Sequence, residues 1–239
     1  MMDALLAYPG FEKLAEWSPI LLAGFVNSIY IAVGGYTLGL LIGLLGAAGK
    51  LYGGLVTRDL LEVYTTVVRA VPELILILLL YYAGSDLLNT VLVAVGYGQV
   101  DVSGLAAGIG VIGIVQGAYT TEVIRGAILA VPVGQFEAGK AYGMSPSQIF
   151  RRITIPAMLP HALPGLGNLW LIATKDTALL AVVGFTELTL ATRQAAGATK
   201  YYLTFYLAAG ALYLALSILS SLVIRLIESR YRRGIAGAG

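Results

Sequence analysis

Five long apolar runs constrain the fold of this chain more than any other feature of its sequence. They lie at about residues 20–48, 60–84, 105–129, 162–184 and 203–227, and each can cross a bilayer as a helix. Lipid offers the backbone no hydrogen-bond partners, so uninterrupted runs of this length favour helices over a barrel. Mean hydropathy is +0.84 and 12% of residues are charged, against about 25% in soluble domains. We predict an all-α membrane protein with five transmembrane helices in a single domain, residues 1–239.

Basic residues are distributed unevenly among the connecting segments. Segments 49–59, 130–161 and 225–239 carry nine Lys and Arg residues, and the opposite connections carry only Lys13, Arg193 and Lys200. The positive-inside rule therefore predicts a cytoplasmic C-terminus and an external N-terminus. The acidic N-terminal segment lacks a basic leader followed by a small-residue cleavage site, so we expect no cleaved signal peptide. A nucleic-acid role for the basic tail is disfavoured.

The longest basic connection, about residues 131–160, has the local signals of two short helices. Gln135–Tyr142 suits the first helix, and Gly143 stands where a left-handed cap would end it. Ser145 and Gln148 have the spacing of a capping box at the start of the second helix. We expect Pro156 and Pro160 to stop this helix before the fourth span. The alternatives are a solvated helical hairpin and a cytoplasmic docking loop.

Three pairs of charged residues lie within the apolar runs, where a charge is costly and normally faces protein or water. Arg69 and Glu73 are four residues apart and lie on either side of Pro72. They could form a structural ion pair or contact a transported solute. Glu122 and Arg125 are predicted to form a structural ion pair. Lys175 and Asp176 are adjacent and point in different directions on a helix, so one of them should meet another helix, a partner subunit or a water-filled pathway.

Several motifs for other functions are absent or out of context. The chain has no cysteine, and its single histidine, His161, stands between two prolines, which excludes a histidine metal cluster and favours a structural or interfacial role. Gly108, Gly110 and Gly113 match a dinucleotide-binding pattern but lie inside an apolar run without a preceding strand. The segment 43–51 fails the spacing of a phosphate-binding loop. Gly35, Gly39 and Gly43 instead form a small-residue face for close helix packing, within the chain or against a partner.

The basic loop resembles the EAA loop of bacterial ABC importer permeases. Glu137, Ala138, Gly143, Ile153 and Pro156 keep the spacing of that loop, whereas Gly139 replaces its second alanine and Ile155 replaces a leucine. The segments 69–82, 117–143 and 163–184 also look like the polar amino acid subfamily of these permeases. Within it, the chain is most similar to the Q-type permeases of importers for histidine, lysine, arginine, ornithine and opines.

This resemblance implies the type I importer permease fold and no enzyme activity in this chain. It implies a second homologous permease, two ATP-binding subunits that hold ATP and Mg, and an external solute-binding protein. ATPase coupling would fall on Glu137, Ala138, Gly139, Gly143, Ile153 and Pro156. An acid after an R-x-x-P element also looks like the importers for basic amino acids, so Arg69, Glu73, Lys175 and Asp176 are the candidate substrate pathway. The alternatives are a self-sufficient secondary transporter or channel, and a structural permease half without a substrate site.

Overall fold

The computed structural model describes residues 9–100 and 103–232, and over these residues the chain is helical without a β-strand. The N-terminal residue Asp3 and the tail residue Arg233, which enter the leader and charge predictions, lie outside this part. The elements are α1 (Pro9–Tyr52), α2 (Leu55–Ala70), α3 (Glu73–Ala94), α4 (Gly104–Leu129), α5 (Val133–Ala141), α6 (Pro146–Ile149), a π-helical turn (Phe150–Thr154), α7 (Ile155–Asp176), a 3₁₀ segment (Thr177–Val183), α8 (Leu188–Thr199) and α9 (Tyr202–Arg232).

Five helical segments of the described chain are long and apolar enough to span a membrane, as the sequence predicts. They are Pro9–Tyr52, Glu73–Ala94, Gly104–Leu129, Pro146–Val183 and Tyr202–Tyr231. The segment Gly104–Leu129 is the most buried of the five, whereas α3 and α9 leave most of their apolar surface exposed. The core is thus built around α4, and α3 and α9 present surfaces for lipid or for another membrane subunit.

The closest helix pair is α1 with α4, and it is joined through the predicted glycine face. A Cβ atom at Gly39 would lie 2.8 Å from Cβ of Gln116, and one at Gly43 would overlap the side chain of Thr120. Any larger residue would force the two helices apart. The glycines therefore pack within the chain, and this is the first of the two roles expected for them.

The second apolar run is not one helix over 60–84. Val71 and Pro72 have extended backbone conformations and separate α2 from α3, which begins at Glu73. Proline lacks the amide hydrogen that would continue α2, and it restricts the residue before it to extended conformations. The run is consequently divided into two helices, and the long apolar helix α3 extends to Ala94 instead of ending near residue 84.

The prediction that Pro156 and Pro160 stop the helix before the fourth span was wrong. The chain stays helical from Pro146 to Asp176, passing through the wide turn Phe150–Thr154. The amide of Ile155 donates to the carbonyl oxygen of Phe150, five residues earlier. This wider turn precedes Pro156, which lies in the first turn of α7, where a missing amide hydrogen is least disruptive.

A buried carboxylate organises the connection between the fourth and fifth spans. Glu187 caps α8 by accepting hydrogen bonds from the amides of Thr189 and Leu190, both at 2.8 Å. It also accepts from the hydroxyl groups of Tyr213 on α9, at 3.1 Å, and Ser28 on α1, at 3.4 Å. Burial raises the pKa of Glu187 although these donors oppose the shift. One carboxylate therefore holds three helices together, and the short helix α8 occupies this connection.

Candidate translocation site and coupling loop

Two carboxylates from different spans lie side by side in the helical bundle, one buried (Asp176) and one half-buried (Glu73). Glu73, at the start of α3, is within hydrogen-bonding reach of Asp176, the last residue of α7. Asp176 is buried, and it accepts a hydrogen bond from Nε2 of Gln116 on α4 at 3.2 Å. We call Glu73, Asp176 and Gln116 the acidic cluster. Three separate helices contribute to it, so its geometry depends on how these helices are arranged.

Both acidic residues stand where a helix is interrupted. Glu73 follows the break at Pro72, and Asp176 stands where α7 tightens into the 3₁₀ segment Thr177–Val183. The first amides of α3 have no partner within their helix and carry the positive end of its dipole. Interrupted helices inside a membrane are tolerated where they are buried in protein or line a cavity, and in many transporters they form the substrate site.

Two buried polar atoms at or near the acidic cluster have no hydrogen-bond partner among residues 9–100 and 103–232. They are Oε1 of Gln116 and Oγ1 of Thr120, and both side chains are completely buried. A buried polar atom that lacks a partner is destabilising, so such atoms are rare unless a water, an ion or a ligand satisfies them. The oxygen of Gln116 is therefore an available acceptor beside two carboxylates.

The remaining predicted pathway residues lie around the cluster. Arg69 forms no salt bridge with Glu73 in the described part of the chain, because the break at Pro72 separates their helices; its Nε donates to the carbonyl oxygen of Thr65 at 3.1 Å. Tyr119 interacts electrostatically with Glu73, Asp176 and Arg69. Lys175 is exposed while Asp176 is buried, so the two adjacent charges do point in different directions.

A second charged cluster lies on α4, two turns closer to the basic loop. Lys50 of α1 donates to Glu122 at 2.5 Å, and to Glu62 at 2.7 Å and Thr65 at 2.6 Å on α2. The Lys50 side chain is only 2% exposed. Arg125 lies 3.6 Å from the second oxygen of Glu122. The predicted pair of Glu122 and Arg125 is thus joined to a larger group through Glu122. We call this group the Lys50 joint, and it consists of Lys50, Glu62, Thr65 and Glu122.

The basic loop has the caps that its sequence predicts. Gly143 is left-handed, with φ of 72°, and the amide of Met144 donates to the carbonyl oxygen of Gly139 at 3.0 Å to close α5. Ser145 and Gln148 form the reciprocal capping box that begins α6. Helix α5 occupies Val133–Ala141, close to the predicted range. The loop is consequently a defined helical hairpin.

Gly139 allows the two halves of the hairpin to pack closely. A Cβ atom at this position would lie 2.7 Å from Ile153 and 3.1 Å from Ile149. This contact gives a physical reason for glycine where the EAA pattern has alanine. Glu137, Ala138, Gly143 and Pro156 are exposed, so they are available to another molecule. A cleft of about 760 Å³ lies beside them, between the hairpin and Tyr52 at the end of α1.

Comparison with known proteins identifies the family. The model of the family described as "binding-protein-dependent transport system inner membrane component" matches residues 35–233, which include both charged clusters and the whole hairpin. This chain belongs to that family. It is an inner-membrane component of a transport system and is related to permease subunits of ABC importers.

Individual relatives extend over nearly the whole chain. HisQ of Escherichia coli (strain K12), the permease protein of a histidine/lysine/arginine/ornithine transport system, is 40% identical over 225 residues, 94% of this chain and 99% of HisQ. NocQ of Agrobacterium fabrum (strain C58 / ATCC 33970), a nopaline transport system permease protein, is 42% identical over 223 residues, 92% of this chain and 94% of NocQ. The crystal structure of an amino acid ABC transporter with histidines has a TM-score of 0.77 and 28% identity, covering 92% of this chain and 98% of that one. The family resemblance drawn from the sequence motifs is confirmed.

Sequence reasoning missed several residues of these clusters. Gln116 and Thr120 carry no charge, so nothing marked them in an apolar run except their polarity. Lys50 was counted as a loop residue, although the structure buries it in the last turn of α1. The joint could have been located from three positions: a lysine just after the first apolar run, an acid near the start of the second (Glu62) and an acid in the last third of the third (Glu122).

Proposed function

We propose that this chain is the permease subunit of an ATP-driven importer for cationic amino acids or opines, and that the acidic cluster receives the positive charge of the solute. The observation that carries this proposal is the pairing of Glu73 with Asp176 where two interrupted helices meet. Two adjacent carboxylates repel each other, and a cation bound between them relieves this repulsion. The names of HisQ and NocQ, which refer to basic amino acids and an opine, are consistent with such a site.

A cationic amino acid has three charged groups, and the surroundings of the cluster offer a partner for each. Glu73 and Asp176 would bind the side-chain cation and the α-ammonium group. Arg69 and the free amides at the start of α3 would bind the α-carboxylate, since a helix N-terminus favours an anion. The unpartnered oxygen of Gln116 would accept a further N–H group of the solute. Lys175 is exposed on α7, about 100° around the helix from Asp176, and it would face the sister permease or the water-filled pathway.

The hairpin Val133–Thr154 would dock the ATPase. Glu137, Ala138 and Gly143 of the hairpin and the following Pro156 are exposed, and Gly143 lines the cleft beside Tyr52, into which a partner surface would fit. ATP and Mg would bind to that partner, and hydrolysis would take place there. This orientation makes the hairpin and the C-terminus cytoplasmic and the N-terminus external, in agreement with the excess of basic residues on the hairpin side.

Transport would then require no covalent chemistry in this chain. Closure of the ATPase dimer would push the hairpins of two permeases, the helices would rock, and the acidic cluster would be exposed alternately to the two sides. The apolar surfaces of α3 and α9 would meet the second permease or lipid. A solute-binding protein would deliver the substrate from outside.

Competitive uptake tests the site. In the reconstituted complex, we expect Asp176→Asn and Glu73→Gln to weaken arginine uptake relative to glutamine, because each removes a charged hydrogen bond worth about 1.5–3 kcal/mol, or roughly 10- to 150-fold. Asp86→Asn is the matched control, since Asp86 is an exposed acid on the same helix as Glu73. An unchanged preference between arginine and glutamine in both variants would remove these acids from recognition. That result would favour a structural permease half without a substrate site.

Co-purification tests the docking loop. Gly143→Asp adds a side chain at a position with left-handed backbone, and residues that carry a Cβ atom disfavour that conformation. We therefore expect loss of ATPase association or of substrate-stimulated hydrolysis. Gly134→Asp is the matched control, because Gly134 is exposed on the same hairpin with open space around it and without a positive φ. If Gly143→Asp leaves assembly and coupling as they are in the parent, the docking assignment is wrong.

A further inference from the structure

The Lys50 joint lies between the hairpin and the acidic cluster, and nothing in the proposed transport cycle uses it. We propose that Lys50 is a positioning residue for transport. It fastens α1, α2 and α4 into one rigid body, so that a displacement of the hairpin reaches the acidic cluster instead of bending α4. This inference rests on the proposed function, because it assumes that the hairpin is the part that is pushed.

The contacts of Lys50 use its full donor capacity. A lysine ammonium group has three hydrogens, and here each has an acceptor within 2.7 Å: Glu62, Thr65 and Glu122. Two acceptors lie on α2 and one lies on α4, whereas the lysine itself belongs to the last turn of α1. One side chain therefore joins three helices at one level.

Helix α4 connects this joint to both functional parts. Six residues before Glu122 on the same helix, Gln116 contacts Asp176. After Glu122, the helix continues to Leu129, and only Ala130, Val131 and Pro132 separate it from the hairpin helix α5. Helix α2, which carries Glu62 and Thr65, leads through the break at Pro72 to Glu73. Helix α4, which contributes Gln116, and helix α2, which precedes Glu73 in the chain, are thus tied together on the hairpin side of the acidic cluster.

Burial makes the joint suited to a permanent connection and not to a switch. The Lys50 side chain is 2% exposed, so opening the joint, which separates it from both Glu62 and Glu122, would leave a buried charge without an ionic partner, which is strongly unfavourable. Close packing at the same level adds to this: a Cβ at Gly46 would overlap Thr121, and one at Gly43 would overlap Thr120. We therefore infer that the joint stays closed while the acidic cluster changes its exposure.

The first test measures how much solute is moved for each ATP hydrolysed. The full complex with its sister permease, ATPase and binding protein is reconstituted with Lys50→Met, using arginine as the solute. Lys13→Met is the matched control, because Lys13 is on the same helix in an exposed pair with Glu16. We expect Lys50→Met to lower the transport-to-hydrolysis ratio at least about fivefold, and Lys13→Met to leave it unchanged. A ratio within about twofold of the parent for Lys50→Met would overturn the proposal.

The second test measures rigidity and does not depend on the solute or on the folding of Lys50→Met. The chain has no cysteine, so spin labels can be attached at introduced cysteines without other changes. Exposed positions Leu45 on α1, Val63 on α2 and Leu129 on α4 give the pairs 45/129 and 63/129. We expect both distances to change by less than about 2 Å between the resting complex and the complex trapped with ATP. A larger change in either pair would show that the joint opens, and would overturn the proposal even if arginine proves to be the wrong solute.

Discussion

Two groups of buried charge lie six residues apart along α4, and they differ in how completely their partners satisfy them. In the Lys50 joint, one cation meets two carboxylates and a hydroxyl group, and each ammonium hydrogen has an acceptor. In the acidic cluster, two carboxylates face each other beside a glutamine whose oxygen has no partner. The two acids of the acidic cluster stand at helix ends, whereas in the Lys50 joint only Lys50 does. Only the second leaves a buried side-chain oxygen, Oε1 of Gln116, without a hydrogen-bond partner in the part of the chain that the structure describes.

This difference is the one expected between charges that stabilise a fold and charges that bind a solute. A protein that buries charges for stability pairs them, because an unpaired charge in low dielectric is costly. A protein that binds a charged solute must leave that cost partly uncompensated until the solute arrives. Neutralising a charge should consequently have opposite effects on stability in the two groups, and four predictions follow from this contrast.

The largest effect is expected at the joint. Lys50→Met leaves Glu122 half-buried with only Arg125, at 3.6 Å, as a described ionic partner, so we expect a loss of about 3–5 kcal/mol in stability. This loss of stability is measured by thermal unfolding of the detergent-solubilised complex, with the height of the folded peak in size-exclusion chromatography as the readout. Stability equal to that of the parent would mean that the joint is as weak as a surface pair, and the contrast would fail.

A smaller effect of opposite sign is expected in the acidic cluster. Asp176→Asn removes the repulsion from Glu73 and keeps a side chain that Gln116 can hydrogen-bond, so we expect a gain of roughly 0.5–2 kcal/mol in the absence of solute. The same thermal assay without arginine checks this gain. Saturating arginine should stabilise the parent more than the variant. A destabilised Asp176→Asn would indicate that this carboxylate is a structural group like Lys50.

Glu187 sharpens the contrast because its carboxylate is fully buried and accepts several hydrogen bonds, yet it belongs to neither group. Its pKa in the folded chain is raised above the ordinary value of 4.5 by burial, so the folded state keeps the proton to higher pH than the unfolded state. Its contribution is therefore greatest at low pH and declines as pH rises from 4.5 through the raised value. We expect the stability of the parent, measured relative to Glu187→Gln, to fall over this window. A relative stability that rises with pH would contradict the assignment.

The smallest effect is expected for an ion pair that is neither buried nor incomplete. Lys13 and Glu16 lie 2.7 Å apart on the exposed surface of α1. Solvent and salt screen such a pair, so we expect Lys13→Met to leave thermal stability and uptake at the parent values. A clear loss in either measurement would show that distance alone, and not burial, decides what these ion pairs contribute.

The parts of the fold that depend on local chemistry could be predicted from the sequence. Apolar length gave the number of spans, and the left-handed Gly143 and the Ser145 capping box were located correctly because each is decided within a few residues. The prolines show the limit of such reasoning. Pro72 breaks a helix that was expected to continue, and Pro156 lies in a helix that was expected to stop, because the wide turn before Pro156 changes the hydrogen-bond register. In both cases proline removes one backbone hydrogen-bond donor. Whether the helix continues depends on the conformation of the backbone around the proline.

The candidate site was predictable only where it carries charge. Glu73 and Asp176 were named because charges in apolar runs are rare, but their proximity could not be foreseen from positions about a hundred residues apart. Gln116, Thr120 and Lys50 were missed because their roles depend on which helices meet, and that is decided by the glycine contacts of α1 with α4. The expected roles of Glu137, Ala138 and Pro156 in ATPase docking remain predictions.

The pairing of α1 with α4 also has a consequence for the synthesis of the chain. Lys50 and Glu122 are 72 positions apart, so the lysine leaves the ribosome well before the acid that holds it. Until α4 enters the membrane, the glycine face of α1 has no neighbour from this chain, and the amine at its end is held at the water interface. The first helix therefore reaches its final depth only when the third hydrophobic segment inserts, and substitutions at Gly43 should prolong its residence with the insertion machinery.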